Sequence, residues 1–193
     1  MSILCLTLVC LAAVLAALTC FRVPSQSVVR RRAWALVQLV LLGSAALSGY
    51  LLLQLPDESA GWGPAGAAAV TVAGCLAAAC GGAPVTTSIL EISRRAGRRP
   101  SGEQVTGAPE PSDPERESTL HGGLWIGVLE RLAIVVCLLL GWPTGLTVLA
   151  AIKALGRFSE LKDADAVERF ILGTLASTLW AAAWAGVTLM LLA

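Results

Sequence analysis

The sequence predicts an all-α fold, a polytopic membrane bundle of about six transmembrane helices in two three-helix halves. Three observations predict it. First, of 193 residues 56% are hydrophobic and 14% charged, with a mean hydropathy of +0.75, whereas soluble domains carry about 25% charged residues. Second, several apolar runs exceed the roughly 18 residues that cross about 30 Å of hydrocarbon. Third, the runs lack the period-two alternation of a membrane barrel, and helices are then the remaining way to satisfy backbone groups in lipid. The net charge of +1 is uninformative as a sum, and no nucleic-acid partner is expected. The abundance of Ala, Gly and Arg points to a GC-rich bacterial genome.

The first half covers 1–90. Helix one is expected over 2–21. No Lys or Arg precedes its apolar run, so the pattern predicts a retained helix rather than a cleaved signal peptide. Arg22, Arg30, Arg31 and Arg32 make the next connection basic. Helix two follows over 33–55, then an acidic turn over 56–63. Helix three is expected over 64–82, with a continuation to 90. Gly81, Gly82, Ala83 and Pro84 should break or kink it, because proline lacks the amide donor and crowds the preceding turn.

Residues 91–120 read differently. Pro100, Pro109, Pro111 and Pro114 stand among Ser, Gly, Thr, Glu and Arg. Such a composition buries no core and predicts a disordered linker. Its basic start (Arg94, Arg95, Arg98, Arg99) is a candidate contact for anionic lipid headgroups.

The second half covers 121–193, with helix four over 123–140 and helix five over 145–161. Gly141, Trp142, Pro143 and Thr144 join them as an antiparallel hairpin. Helix six is expected over 168–192. Arginines fill the connections after helices one and three, and Lys162 follows helix five, while the turns on the other side hold no basic residue. The positive-inside rule then sets both termini outside and the 91–120 linker in the cytoplasm of a bacterial cell membrane. Small residues at four-residue spacing (Ala69, Ala73, Ala77, Gly81; Gly173, Ser177, Ala181, Ala185) mark faces where helices approach closely. Trp34 and Trp125 would mark the inner interface and Trp62 and Trp142 the outer one, with Trp180 and Trp184 as packing residues. The six cysteines (Cys5, Cys10, Cys20, Cys75, Cys80, Cys137) all lie in apolar runs. They read as small packing residues, with no metal site and no disulfide framework.

The candidate site is the set of charges within the second half: Glu130, Arg131, Lys153, Arg157 and Glu160, with Glu168 and Arg169 at the rim. A charge near the bilayer centre costs roughly 2.5–3.5 kcal/mol. The apolar residues of helix four return roughly 5 kcal/mol, so two charges cancel its tendency to insert. Glu130 and Lys153 each sit about 12 Å from the inner end of their helix at 1.5 Å per residue. The hairpin therefore sets an acid and a base at matching depth. Gly127, Glu130 and Arg131 fall on one face of helix four, and Lys153, Gly156, Arg157 and Glu160 on one face of helix five.

Two readings of these charges compete. In one, Glu130 pairs with Lys153 or Arg157, and Glu160 with Arg131 or Arg169, as an internal network that fixes helix register. In the other, they line a polar cavity that holds an ion, an anionic headgroup or a proton.

Three segments carry a resemblance: Gly127 to Arg131, Ala150 to Phe158, and Glu168 to Ser177. Their order resembles the motifs G-x-L-E-R, A-A-K-S-x-x-R-F and A-E-Y-x-x-x-G-T-x-x-S of an uncharacterised bacterial integral membrane protein family. Ala154 stands where that pattern has Ser, and Arg169 and Phe170 where it has Tyr. The resemblance covers 122–185 and implies importance for Glu130, Arg131, Lys153, Arg157, Glu168, Gly173, Thr174 and Ser177. It implies no specific activity.

An enzyme is not expected. The single histidine, His121, lies at the membrane edge, and no catalytic motif or cofactor fingerprint is present. The expected function is an accessory, sensory or scaffold membrane protein, alone in lipid, as a homo-oligomer or with a partner membrane protein. A small oligomeric transporter or channel is the alternative.

Overall fold

The computed structural model describes residues 2–22, 28–54, 62–97, 114–156 and 164–193, which form six helices: α1 (Ser2–Arg22), α2 (Val28–Gln54), α3 (Pro64–Gly97), α4 (Pro114–Leu139), α5 (Thr144–Gly156) and α6 (Ala164–Leu192). Among the described residues the fold is all-helical. Three helices are long and apolar enough to cross a membrane, over Arg32–Leu51, Pro64–Ser93 and Val167–Leu192. The apolar parts of α1 (Cys5–Leu18) and all of α5 are shorter.

The bundle is small inside and large outside. Ala12, Ala16, Ala45, Ala77, Ala78 and Ala181 are fully buried, while Leu36, Val40, Leu47, Ile126, Leu129, Ile152 and Leu179 face outward. That inversion suits lipid, where tails solvate large aliphatic side chains and association depends on close backbone approach. It follows from the sequence period. On α1, Cys5, Val9, Ala12, Ala13 and Ala16 are buried at three- and four-residue steps, one stripe of an α-helix.

Helix α3 is the centre. It packs most extensively on α1 and α6, and also on α4 and α2. Against α6 it runs antiparallel in steady register. A Cβ at Gly74 would meet Thr188, one at Gly81 would meet Trp180, and one at Gly173 would lie 3.6 Å from Leu90. Farther along, the Ser93 hydroxyl reaches Glu168 at 3.4 Å. At the opposite end the Trp62 indole donates to the Leu191 carbonyl at 2.5 Å. The small-residue faces lie in this contact: Ala73, Ala77, Gly81, Ser177, Ala181 and Ala185 are buried, and Ala69 and Gly173 half-buried.

The break expected at Pro84 does not occur, since α3 continues through it to Gly97. The Thr86, Thr87 and Ser88 hydroxyls that follow donate to the carbonyls of Gly82, Ala83 and Pro84 at 2.7–2.9 Å, back-bonds to the preceding turn that such side chains make within helices. The expected linker of 91–120 is correspondingly shorter. Residues through Gly97 continue α3 and residues from Pro114 begin α4, while 98–113 lie outside the described residues.

The α4–α5 turn is built as expected. The Trp142 amide donates to the Cys137 carbonyl at 2.8 Å and the Gly141 amide to Leu138 at 3.1 Å. Gly141 has φ +64°. This is a Schellman closure, whose left-handed position glycine adopts without a Cβ penalty. Helix α5 has 13 residues, about 20 Å at 1.5 Å per residue. Its one extensive contact is with α4.

Candidate functional site

The hairpin brings Glu130 and Lys153 into direct contact. Lys153 Nζ donates to Glu130 Oε1 at 2.6 Å and Oε2 at 2.7 Å. Both side chains are largely enclosed, 26% exposed for Lys153 and 16% for Glu130. Matching depth on antiparallel helices makes this pair possible, and two short charge-assisted bonds hold it. The ammonium also lies 5.8 Å from the centre of the Phe170 ring on α6, within cation–π range. A group from each of α4, α5 and α6 therefore meets at one point.

Arg131 goes elsewhere. It is 4% exposed, and its Nε donates to the Ala79 carbonyl of α3 at 2.8 Å. A Cβ at Gly82 would sit 2.6 Å from Arg131 Cδ, and one at Gly127 would sit 3.5 Å from Nη1. The guanidinium stem thus fills the space that Gly82 leaves on α3, with Gly127 beside its head. Among the described residues these charges therefore fall at two places. One is the Glu130–Lys153–Phe170 cluster, and the other is an Arg131 contact on helix three. Adjacent positions on α4 differ by about 100°, which separates Glu130 and Arg131 into different interfaces.

The second site has a partner that the charges alone did not reveal. The Trp180 indole inserts its N–H edge into the same α3 notch. Nε1 donates to the Ala78 carbonyl at 3.1 Å, Cζ2 lies 2.9 Å from the Cβ position of Gly81, and Cδ1 lies 2.9 Å from that of Gly82. Trp184 stacks edge-on against it, with centroids 6.2 Å apart. Across the notch, Gln38 of α2 is fully buried, with its Oε1 3.2 Å from the Cβ position of Gly81. Among the described residues neither amide atom of Gln38 has a hydrogen-bond partner. Sequence reasoning missed Gln38 because one glutamine in an apolar run is a weak signal. The adjacent glycines at 81 and 82 were the available clue to a crossing point.

The remaining candidates divide. Gly173 touches Leu90 of α3. Ser177 is buried on α6, and the Thr174 Oγ1 and Ser177 Oγ atoms are buried without partners. Glu168 is exposed at the rim and accepts from Ser93; Arg169 is exposed next to it. Gly156 was expected at a helix contact; among the described residues nothing lies within 4 Å of its Cβ position. Arg157 and Glu160 lie outside the described residues. No group of His, Cys, Asp or Glu among the described residues is arranged to hold a metal ion.

Compared with protein-family models, curated proteins and solved structures, the chain matches none.

Proposed function

We propose that this chain is a six-span protein of a bacterial inner membrane that acts as an accessory component, sensory or scaffold in type. The observation that carries the reading is the two-pronged Lys153–Glu130 contact. It neutralises an acid and a base inside an apolar bundle and ties the loosely held α5 to α4. Buried or half-buried ion pairs add little net stability over apolar residues, yet they fix register and create a two-state latch. A latch joining one peripheral helix to a packed bundle suits signalling or assembly better than catalysis. The motifs around Glu130, Lys153 and Glu168 support kinship with the bacterial membrane family they resemble. Anionic headgroups near the arginines at the end of α3, and a second copy or another membrane protein on the outer faces, are the partners this reading takes.

Vesicles reconstituted with the protein should show no solute or ion flux that depends on Lys153. Flux that disappears in folded Lys153→Ala would replace the reading with a transporter. The orientation has both termini outside and the α3–α4 connection in the cytoplasm, from the basic residues beside it. Reporter fusions inserted at 98–113 should be active only as cytoplasmic reporters; activity of an external reporter there would reverse the topology.

A further inference from the structure

Lys153 behaves geometrically as a ligand supplied by the chain itself. Its four methylenes stand for an alkyl chain and its Nζ for the cationic head. The receiving groups are the two Glu130 oxygens at 2.6 and 2.7 Å and the Phe170 ring at 5.8 Å. We propose that Glu130 and Phe170 form a binding site for organic cations bearing N–H donors, alkylammonium or alkylguanidinium, which compete with Lys153 as a tethered occupant. This deepens the sensory reading of the same pair and rests on it.

Three features support exchange. The receiving groups sit on α4 and α6, which pack directly on each other, so the site keeps its walls when α5 moves. The displaced group sits on α5, a short helix whose one extensive contact is α4. The Lys153 side chain is 26% exposed, so a competitor has an approach. A carboxylate with an aromatic face recognises a cation by charge, by N–H donation and by the ring quadrupole. A tethered lysine acts at an effective concentration on the order of millimolar, so a free cation must reach that range to displace it.

The chain has two lysines, Lys153 and Lys162, which makes a ratio measurement available on the full-length protein. In detergent micelles, n-butylguanidinium chloride is titrated against sodium chloride at equal ionic strength. Trace acetylation of each lysine is then read by mass spectrometry. Displacement frees Lys153, and its acetylation relative to Lys162 should rise about threefold or more at concentrations on the order of ten millimolar. A flat ratio overturns the proposal. In Glu130→Gln the ratio should start high and ignore the cation, whereas a rise equal to that of the wild type marks a nonspecific effect and overturns it. Phe170→Leu takes the ring from both occupants, so the midpoint should stay in place while the starting ratio rises by about threefold, as loss of the contact to Lys153 implies; an unchanged starting ratio removes Phe170 from the site and with it the proposal. A latch verified by charge reversal together with a flat acetylation ratio would remove the ligand and leave the latch standing.

Discussion

Gly82→Leu should eliminate folded protein, and Gly82→Ala should lower its melting temperature by several degrees in a fluorescence-detected thermal assay. The first added carbon would lie 2.6 Å from Arg131 Cδ, 2.8 Å from Nε and 2.9 Å from Trp180 Cδ1. Overpacking alone costs typically about 1–3 kcal/mol. Here the intruder also drives the guanidinium from the Ala79 carbonyl, and losing a buried hydrogen bond to a charged group costs roughly 1.5–3 kcal/mol. Together these approach the lower end of a small domain's stability, about 5–15 kcal/mol. Arg131→Met removes the rigid head and should restore part of the loss when combined with Gly82→Ala. Normal melting of Gly82→Leu would mean that α3, α4 and α6 do not meet at this notch. Gly156→Ala, with nothing within 4 Å of its Cβ position among the described residues, is the control and should leave melting unchanged.

The second large effect is at the ion pair. Lys153→Met and Glu130→Gln should each destabilise by roughly 2–3 kcal/mol, between the limits for exposed and fully buried pairs. Each single change leaves one group without its partner in a largely enclosed site. Combining them removes both charges, and the double variant should be more stable than either single one, because neither group is then stranded. Thermal melting of the four proteins in one detergent reads this directly. Additive losses would show that the two residues do not interact.

Much of this was legible before any coordinates. The all-helical character follows from hydropathy, although among the described residues three helices rather than six are long and apolar enough to cross a membrane, and the α4–α5 turn follows from Gly141 and Pro143. The acid and base at matching depth on a tight hairpin led to Glu130 and Lys153 through helical rise alone. What failed to show has a common cause: the crossing at α3 depends on what lies opposite each glycine. Gly81 and Gly82 next to Pro84 read as a helix breaker in isolation. In the bundle they are a notch filled by Trp180 and Arg131. Arg131 was grouped with Glu130 through their i+4 and i+3 spacing from Gly127, although one residue of helix rotates a side chain into another interface. Gln38 carried no periodic signal, because its burial comes from α1, α3 and α6 together.

The central claim is that Glu130 and Lys153 form a direct latch between α4 and α5. The most direct measurement is charge reversal: Glu130→Lys and Lys153→Glu, singly and together, scored by folded yield and melting temperature. Each single reversal sets like charges in contact and should abolish folded protein, and the double reversal should recover most of it. A double variant no better than its worse parent would contradict the latch.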